Sequence, residues 1–383
     1  MRSFTRALHA RIENAVTAPS VTPLYQNSAF NADSPYFYSR KNNPNVAEFE
    51  EVLTILEGAS YAVAVTCGMA ALYAVLDLLS PGDALVLNRD VYGCTFRLCR
   101  LIEKRRGLSV AVLDLSHESQ FAAIPTNVRM VLIETPTNPF LKTIGIRCLV
   151  DHIKSISPTA LVVVDNTWAT PLYQHPLEHG ADISLHSASK YFSGHSDVMG
   201  GALLTNRKDL HGELTATRFY GGTILDPHSA WLLRRSMQTL QVRLLRQAET
   251  TRRMADILVS LPQVRRIYYP EVDGTQLTGY GGIVFFELRE DLVHRYEDFV
   301  AALRLFNTGT GMAAVCSTVA RPYTGSHLSM TDQEKRDMGL GMNLVRLCFG
   351  LEDADDLHKD LLCGFQAMEE AALAGTPARA HTE

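Results

Sequence analysis

Between residues 84 and 206 the chain sets six short apolar, β-branched runs, ALVLNRD, LSVAVLDL, VRMVLIETP, ALVVVDNTW, ADISLHSASK and GGALLTN, among helical patterns. Each run is apolar at successive rather than alternate positions, so both faces of the strand it forms are covered. Strands buried on both faces and separated by helices build a parallel α/β sheet, and right-handed crossovers bring the loops after the strands to one edge. Ligand chemistry is expected along that edge.

The rest of the chain sets limits on partners. It has 383 residues, 46% of them hydrophobic and 20% charged, enough to build more than one packed unit. A net charge of −5 without a basic run turns the reading away from nucleic acid and anionic lipid and toward a small-molecule substrate. Seven cysteines, an odd number with no CxxC pair and no Cys/His metal spacing, point to reduced thiols in a cytoplasm and to no bound metal. The opening MRSFTRALHARIENAV is charged throughout and is not a secretion signal. Tyr61 to Leu79 is apolar but interrupted by Thr66, Gly68 and Asp77, so it reads as strand, turn and helix rather than as a membrane span.

Three units are expected. Residues 1–45, with TPLYQNSAF and SPYFYSRKNNPN, form an aromatic, turn-rich arm without helical period; 46–230 form the large α/β domain; 231–383 form a smaller α+β domain. The last is entered by one long helix over SAWLLRRSMQTLQVRLLRQAETTRRMADILVSL and includes GGIVFFELRED and NLVRLCFGLED.

Three motifs at strand ends carry chemistry. Asp165 ends the apolar strand of LVVVDNTWATP, where a carboxylate must be solvated, paired or held against a ligand. Lys190 follows a short strand in HSASKYFSGHSD; a lysine desolvated there becomes a nucleophile toward an aldehyde, and Ser187 and Ser189 beside it can bond an anion. In TCGMAALYAV a turn at Gly68 leads into a helix beginning near Met69, whose N–H groups can cradle a phosphate. Alone, each has an ordinary reading too: a cap or turn acid, a surface lysine, a tight turn. Together they match the needs of pyridoxal 5′-phosphate (PLP): an anion cradle, an acid for the ring nitrogen and a lysine for the aldehyde.

In this order the motifs resemble the Cys/Met-metabolism PLP family of cystathionine synthases and lyases and methionine γ-lyase, from TPLYQNSAF to VRLCFGLED. The resemblance implies an aspartate-aminotransferase-like fold (PLP fold type I), with a large, mostly parallel sheet domain and a smaller C-terminal α+β domain. It implies PLP carried as a Schiff base on Lys190, with Asp165 at the ring nitrogen and the Gly68 and Met69 amides, Ser187 and Ser189 on the phosphate. Ser189 stands where many relatives have threonine. Tyr38 and Arg40, in YSRKNNPN, would reach the phosphate of an adjacent subunit, Tyr38 also bordering its substrate, in a homotetramer built as a dimer of dimers. Tyr92, in RDVYGCT, would stack on the cofactor and exchange a proton with the leaving group. Asn138, in ETPTNP, would lie near the cofactor oxygen and the substrate carboxylate, which Arg346 would hold.

The chain departs from the family at Gly311 to Ser317, where GMAAVCS replaces SLGxxES. Gly311 stands for the motif's serine and Cys316 for its glutamate; Cys316 and Ser317 are expected to border the substrate. Cys94 favours a lyase, since methionine γ-lyase has cysteine there, although a small packing residue fits that position equally. Little sequence separates YYPEVDG from GYGGIVFFEL, so the entrance is expected to differ. The expected activity is γ-elimination from a γ-substituted L-amino acid of specialised kind; conversion of a halogenated precursor to an unsaturated or acetylenic amino acid belongs to this class. The rivals are γ-replacement, as in a cystathionine γ-synthase or homoserine-ester sulfhydrylase, and a PLP-binding module without catalysis.

Overall fold

The computed structural model describes residues 1–12, 17–309 and 311–375, so the last eight residues of the expected C-terminal unit lie outside the described residues. The first seven strands are β1 Tyr61–Val65, β2 Ala84–Asn88, β3 Ser109–Leu113, β4 Val128–Glu134, β5 Leu161–Asp165, β6 Ile183–His186 and β7 Gly201–Thr205. They form one sheet in the order β1-β7-β6-β5-β4-β2-β3. All six expected runs are strands, and β2 to β6 run parallel. The strand of GGALLTN is an exception, since β7 is antiparallel to both β6 and β1. A parallel return needs a crossover, usually helical, whereas residues 187–200 form turns.

The Tyr61–Leu79 stretch is β1, a turn and the helix Gly68–Leu76. Among the described residues no helix is long and apolar enough to cross a membrane. The arm departs from expectation: Ser3–His9 is a helix that buries Ala7 and packs on the helix Pro44–Glu57. Asn43 caps that longer helix through the Asn45 N–H, and both side chains hold the arm by donating to the carbonyls of Tyr25 and Pro23.

The expected single long helix is two, Pro227–Met237 and Leu240–Ser260. Its apolar period continues across the break, so periodicity alone does not reveal it. Arg243 occupies the break, donating to the Ser236 carbonyl at 3.0 Å and to Thr239 Oγ1 at 3.1 Å.

A second sheet contains β8 Val264–Tyr268, β9 Ile283–Leu288, β10 Asn307–Thr308, β11 Thr318–Ala320 and β12 Leu344–Cys348, in the order β10-β11-β12-β9-β8. Alternate residues divide its faces. Val284, Phe286, Val345 and Leu347 pack with Phe299 and Phe365 in one core, whereas Ile283, Phe285, Leu344 and Cys348 join the core shared with the first sheet. Arg346, paired with Phe285 in the β9–β12 ladder, lies on that shared side.

Candidate active site

The strand ends of the first sheet converge on a cavity of about 370 Å³. Close approach makes its floor. A Cβ on Gly68 would sit 2.9 Å from the Ser187 Cβ and 3.0 Å from its hydroxyl, so only glycine lets the start of helix Gly68–Leu76 meet the turn after β6. That turn is tied down: the Ser187 N–H donates to Thr167 Oγ1 at 2.7 Å, and Ser189 Oγ accepts from the Gly200 N–H at 3.0 Å. Lys190 follows, its N–H on the Ser187 carbonyl at 3.1 Å. Burial, and then the nearby Arg346 charge, push the Lys190 amine below its ordinary value, toward the neutral form a nucleophile or base needs.

Asp165 accepts from the Thr167 N–H at 3.0 Å and from its hydroxyl at 2.6 Å. Burial raises its carboxyl, while Thr167 and His186 pull it back toward ionisation. Among the described residues no cationic side chain ion-pairs with Asp165. A protonated ring nitrogen would supply the missing countercharge.

Tyr92 precedes the helix Gly93–Arg106. Its phenol is pushed up to about 12, first by burial and then by a hydrogen bond with the Cys94 thiol. The Tyr92 turn presses on the second unit, since a Cβ on Gly93 would lie 2.7 Å from the Ser326 carbonyl oxygen. Arg346 reaches in from β12 and donates through Nη2 to the Gly311 carbonyl at 2.9 Å. Asn138 completes that side, its Oδ1 buried without a hydrogen-bond partner.

The cavity lining thus gathers Gly68, Met69, Tyr92, Asn138, Asp165, Ser187, Ser189, Lys190 and Arg346. Tyr38 and Arg40 are elsewhere on the chain: Arg40 donates to the Phe219 carbonyl at 3.1 Å and lies 4.5 Å over the Phe219 ring. Cys94 touches Tyr92 without lining the cavity. Ser317 and Cys316, expected to border the substrate, do not line this cavity. Ser317 is fully buried, donating its N–H and hydroxyl to Glu352 at 2.6 and 2.9 Å, and Cys316 is exposed to solvent. Met312, half-buried, stands beside Lys190 and Met199 in an adjoining cavity of about 600 Å³ that the exposed Gly311 borders.

Glu134 was absent from the expected set. It lines the cavity, stands opposite Asp165 in the β4–β5 register and accepts from the Tyr92 N–H at 2.8 Å. Its signal was present, because an acid ends the apolar run VRMVLIE as another ends LVVVD. Trp168 and Thr167 of the DNTW turn also reach the cavity. The glycine floor and the acid without a cation both fit PLP, and among the described residues no cluster suits a metal.

Comparison with known proteins agrees with this fit. Residues 4–366 match the family of Cys/Met metabolism PLP-dependent enzymes. The chain is 35% identical to a cystathionine gamma-lyase of Bacillus subtilis over 94% of its own length and 98% of that protein. It is likewise 35% identical to a cystathionine beta-lyase of Lactococcus lactis subsp. cremoris, covering 93% and 97% of the two chains. A crystal structure of cystathionine gamma synthase from Xanthomonas oryzae pv. oryzae in complex with cystathionine superimposes with a TM-score of 0.92 at 33% identity, over 97% of this chain and 99% of that one. With its fold of type I and a cavity that fits the cofactor, this chain belongs to the Cys/Met metabolism family and is a PLP-dependent lyase or synthase.

Proposed function

We propose that the enzyme is a lyase that eliminates the γ-substituent of an L-amino acid, with a small uncharged substituent such as a halogen favoured over the polar half of cystathionine. The observation that carries this reading is the place of Met312, which lines both cavities beside Lys190. Beside Lys190 the segment offers the Met312 thioether, while the Gly311 carbonyl is taken by Arg346 and Thr318 and the Ser317 hydroxyl is committed to Glu352. Removal of a vinylic halide by this route would leave an acetylenic amino acid.

PLP, when bound, supplies an electron sink for charge developing at the substrate carbons. Arg346 holds the α-carboxylate, and its bond to the Gly311 carbonyl ties that anchor to the altered segment. The lysine amine, kept weakly basic by burial, takes the proton from Cα and moves protons at Cβ. Tyr92, with its proton held firmly, donates a hydrogen bond to the departing group. Tyr38 and Arg40 serve a neighbouring subunit's phosphate, in a tetramer built from dimers with shared sites and located in the cytoplasm. The division into an arm (1–45), a large domain (46–230) and a C-terminal domain (231–383) belongs to the same reading.

Steady-state kinetics on cystathionine, methionine, O-acylated homoserines and γ-halogenated amino acids test it. The expected outcome is a clear preference for the halogenated group, with a 2-oxo acid and ammonia, or an unsaturated amino acid, as product. Turnover of cystathionine or methionine at about 10⁴ M⁻¹s⁻¹ or more would return the enzyme to ordinary sulfur metabolism. The second reading is γ-replacement, for which the adjoining cavity leaves room for an incoming nucleophile. A thioether product identifies it.

A further inference from the structure

We infer that Glu134 is a positioning residue that keeps its proton while Asp165 carries the negative charge of the site, and that this neutral acid fixes Tyr92 and Asn138 around the cofactor. The inference concerns the cofactor end of the cavity and is independent of the substrate.

Three observations converge on it. First, Glu134 and Asp165 are register partners at the ends of parallel strands, so their side chains leave the sheet side by side on one face. Two buried carboxyls in that relation do not both ionise without a cation between them. Second, the surroundings of the two acids differ. Asp165 accepts two hydrogen bonds from Thr167 and has His186 behind it. Glu134 accepts one backbone N–H, from Tyr92, and the sense of its contact with Asn138 depends on which way that amide is turned. Third, Asn138 has a buried amide oxygen without a donor. Its amide N and O are nearly isosteric, so turning the amide over would set that oxygen against Glu134, and only a protonated carboxyl could then donate to it.

The charged and titratable neighbours agree. Burial first, and then the Asp165 charge, raise the Glu134 carboxyl well above its ordinary 4.5. Lys190 and Arg346 line the same cavity; the first has its amine pushed toward neutrality by burial, and the second bonds the Gly311 carbonyl. Behind Asn138, burial lowers the His327 imidazole to about 4, which keeps it neutral at physiological pH. A protonated Glu134 adds no second charge to compete for the ring nitrogen that Asp165 serves. It spans from the Tyr92 backbone to the Asn138 amide, so the stacking residue and the carboxylate-side residue share one anchor.

Protonation in the folded state alone predicts how stability varies with pH. Above its unfolded value Glu134 holds a proton that the unfolded chain has released, so wild-type stability falls as pH rises until Glu134 ionises in the folded state as well. Thermal unfolding of the cofactor-free protein is therefore compared for wild type and Glu134→Gln from about pH 5 to about pH 9. Wild type is expected to lose about 2 °C per pH unit relative to the variant over part of that range; parallel curves overturn the inference. Equilibrium dialysis of PLP gives a second readout. Glu134→Ala is expected to weaken binding at least tenfold and Glu134→Gln to recover most of that loss, whereas equal losses in both would mean that the carboxylate charge is what matters. If neither variant folds, the infrared C=O band of a protonated acid is sought in wild type at neutral pH and in Glu134→Asp. A band that the aspartate variant shifts supports the inference, and an absent or unmoved band overturns it.

Discussion

The edge of the first sheet and the segment from Gly311 to Ser317 meet at one cavity but were built by different rules. At the edge every functional side chain follows within a few residues of a strand: Asp165 ends β5, Glu134 ends β4, and Ser187 to Lys190 follow β6. The strand sets the direction of each, and close packing such as Gly68 against Ser187 leaves little freedom. The segment has no such guide. Its placement depends on Ser317 with Glu352 and on Gly311 with Arg346, contacts made across the second sheet. The residues of the edge are therefore placed by local rules, and those of the segment by distant ones.

Lys190→Ala should separate the two most sharply. We expect kcat to fall by about 10⁴-fold or more, with loss of the visible absorption of lysine-bound cofactor; a variant that keeps both would remove the assignment of the edge. Next in size is Arg346→Ala, which strips the α-carboxylate of its charge-assisted partner. KM for any amino-acid substrate should rise by about 10- to 100-fold, while PLP content measured after gel filtration stays near one per chain. A KM that rises for some substrates alone would place Arg346 with the specificity segment instead.

Met312→Ala tests the segment directly. The ratio of kcat/KM between a γ-halogenated substrate and methionine should change by about tenfold, the size expected for lost apolar contact in a pocket. An unchanged ratio would show that Met312 faces the cavity without reading the substrate. Ser317→Ala is expected to be the mildest on catalysis. It leaves a Glu352 oxygen without its hydroxyl donor, costing about 1–3 kcal/mol in stability by denaturant unfolding, with KM within about twofold of wild type. A KM effect larger than the stability effect would restore Ser317 to the substrate site.

The residues show why the edge was readable. LVVVD and VRMVLIE are too apolar to face water, so an acid at the end of either is conspicuous, although VRMVLIE runs directly into TPTNP, whose asparagine is the more obvious polar group. The surroundings of Cys316 and Ser317 are unreadable for the opposite reason. Sequence puts them next to the altered positions, but nothing within the segment says which side chains turn inward. The antiparallel β7 and the break near Thr239 are of the same kind, since hydrophobic pattern records burial without recording direction or continuity.

Sequence alone determined the sheet-forming runs and the cofactor, because consecutive apolar residues, a glycine turn and a strand-end acid are each forced by local sterics and solvation. Tertiary structure alone decided that Glu134 stands beside Asp165, that Arg346 reaches the cavity from a second sheet, and that Met312 rather than Cys316 faces Lys190. Those outcomes depend on strand register and on packing between residues far apart in the chain, where each contact is settled by what lies across the gap.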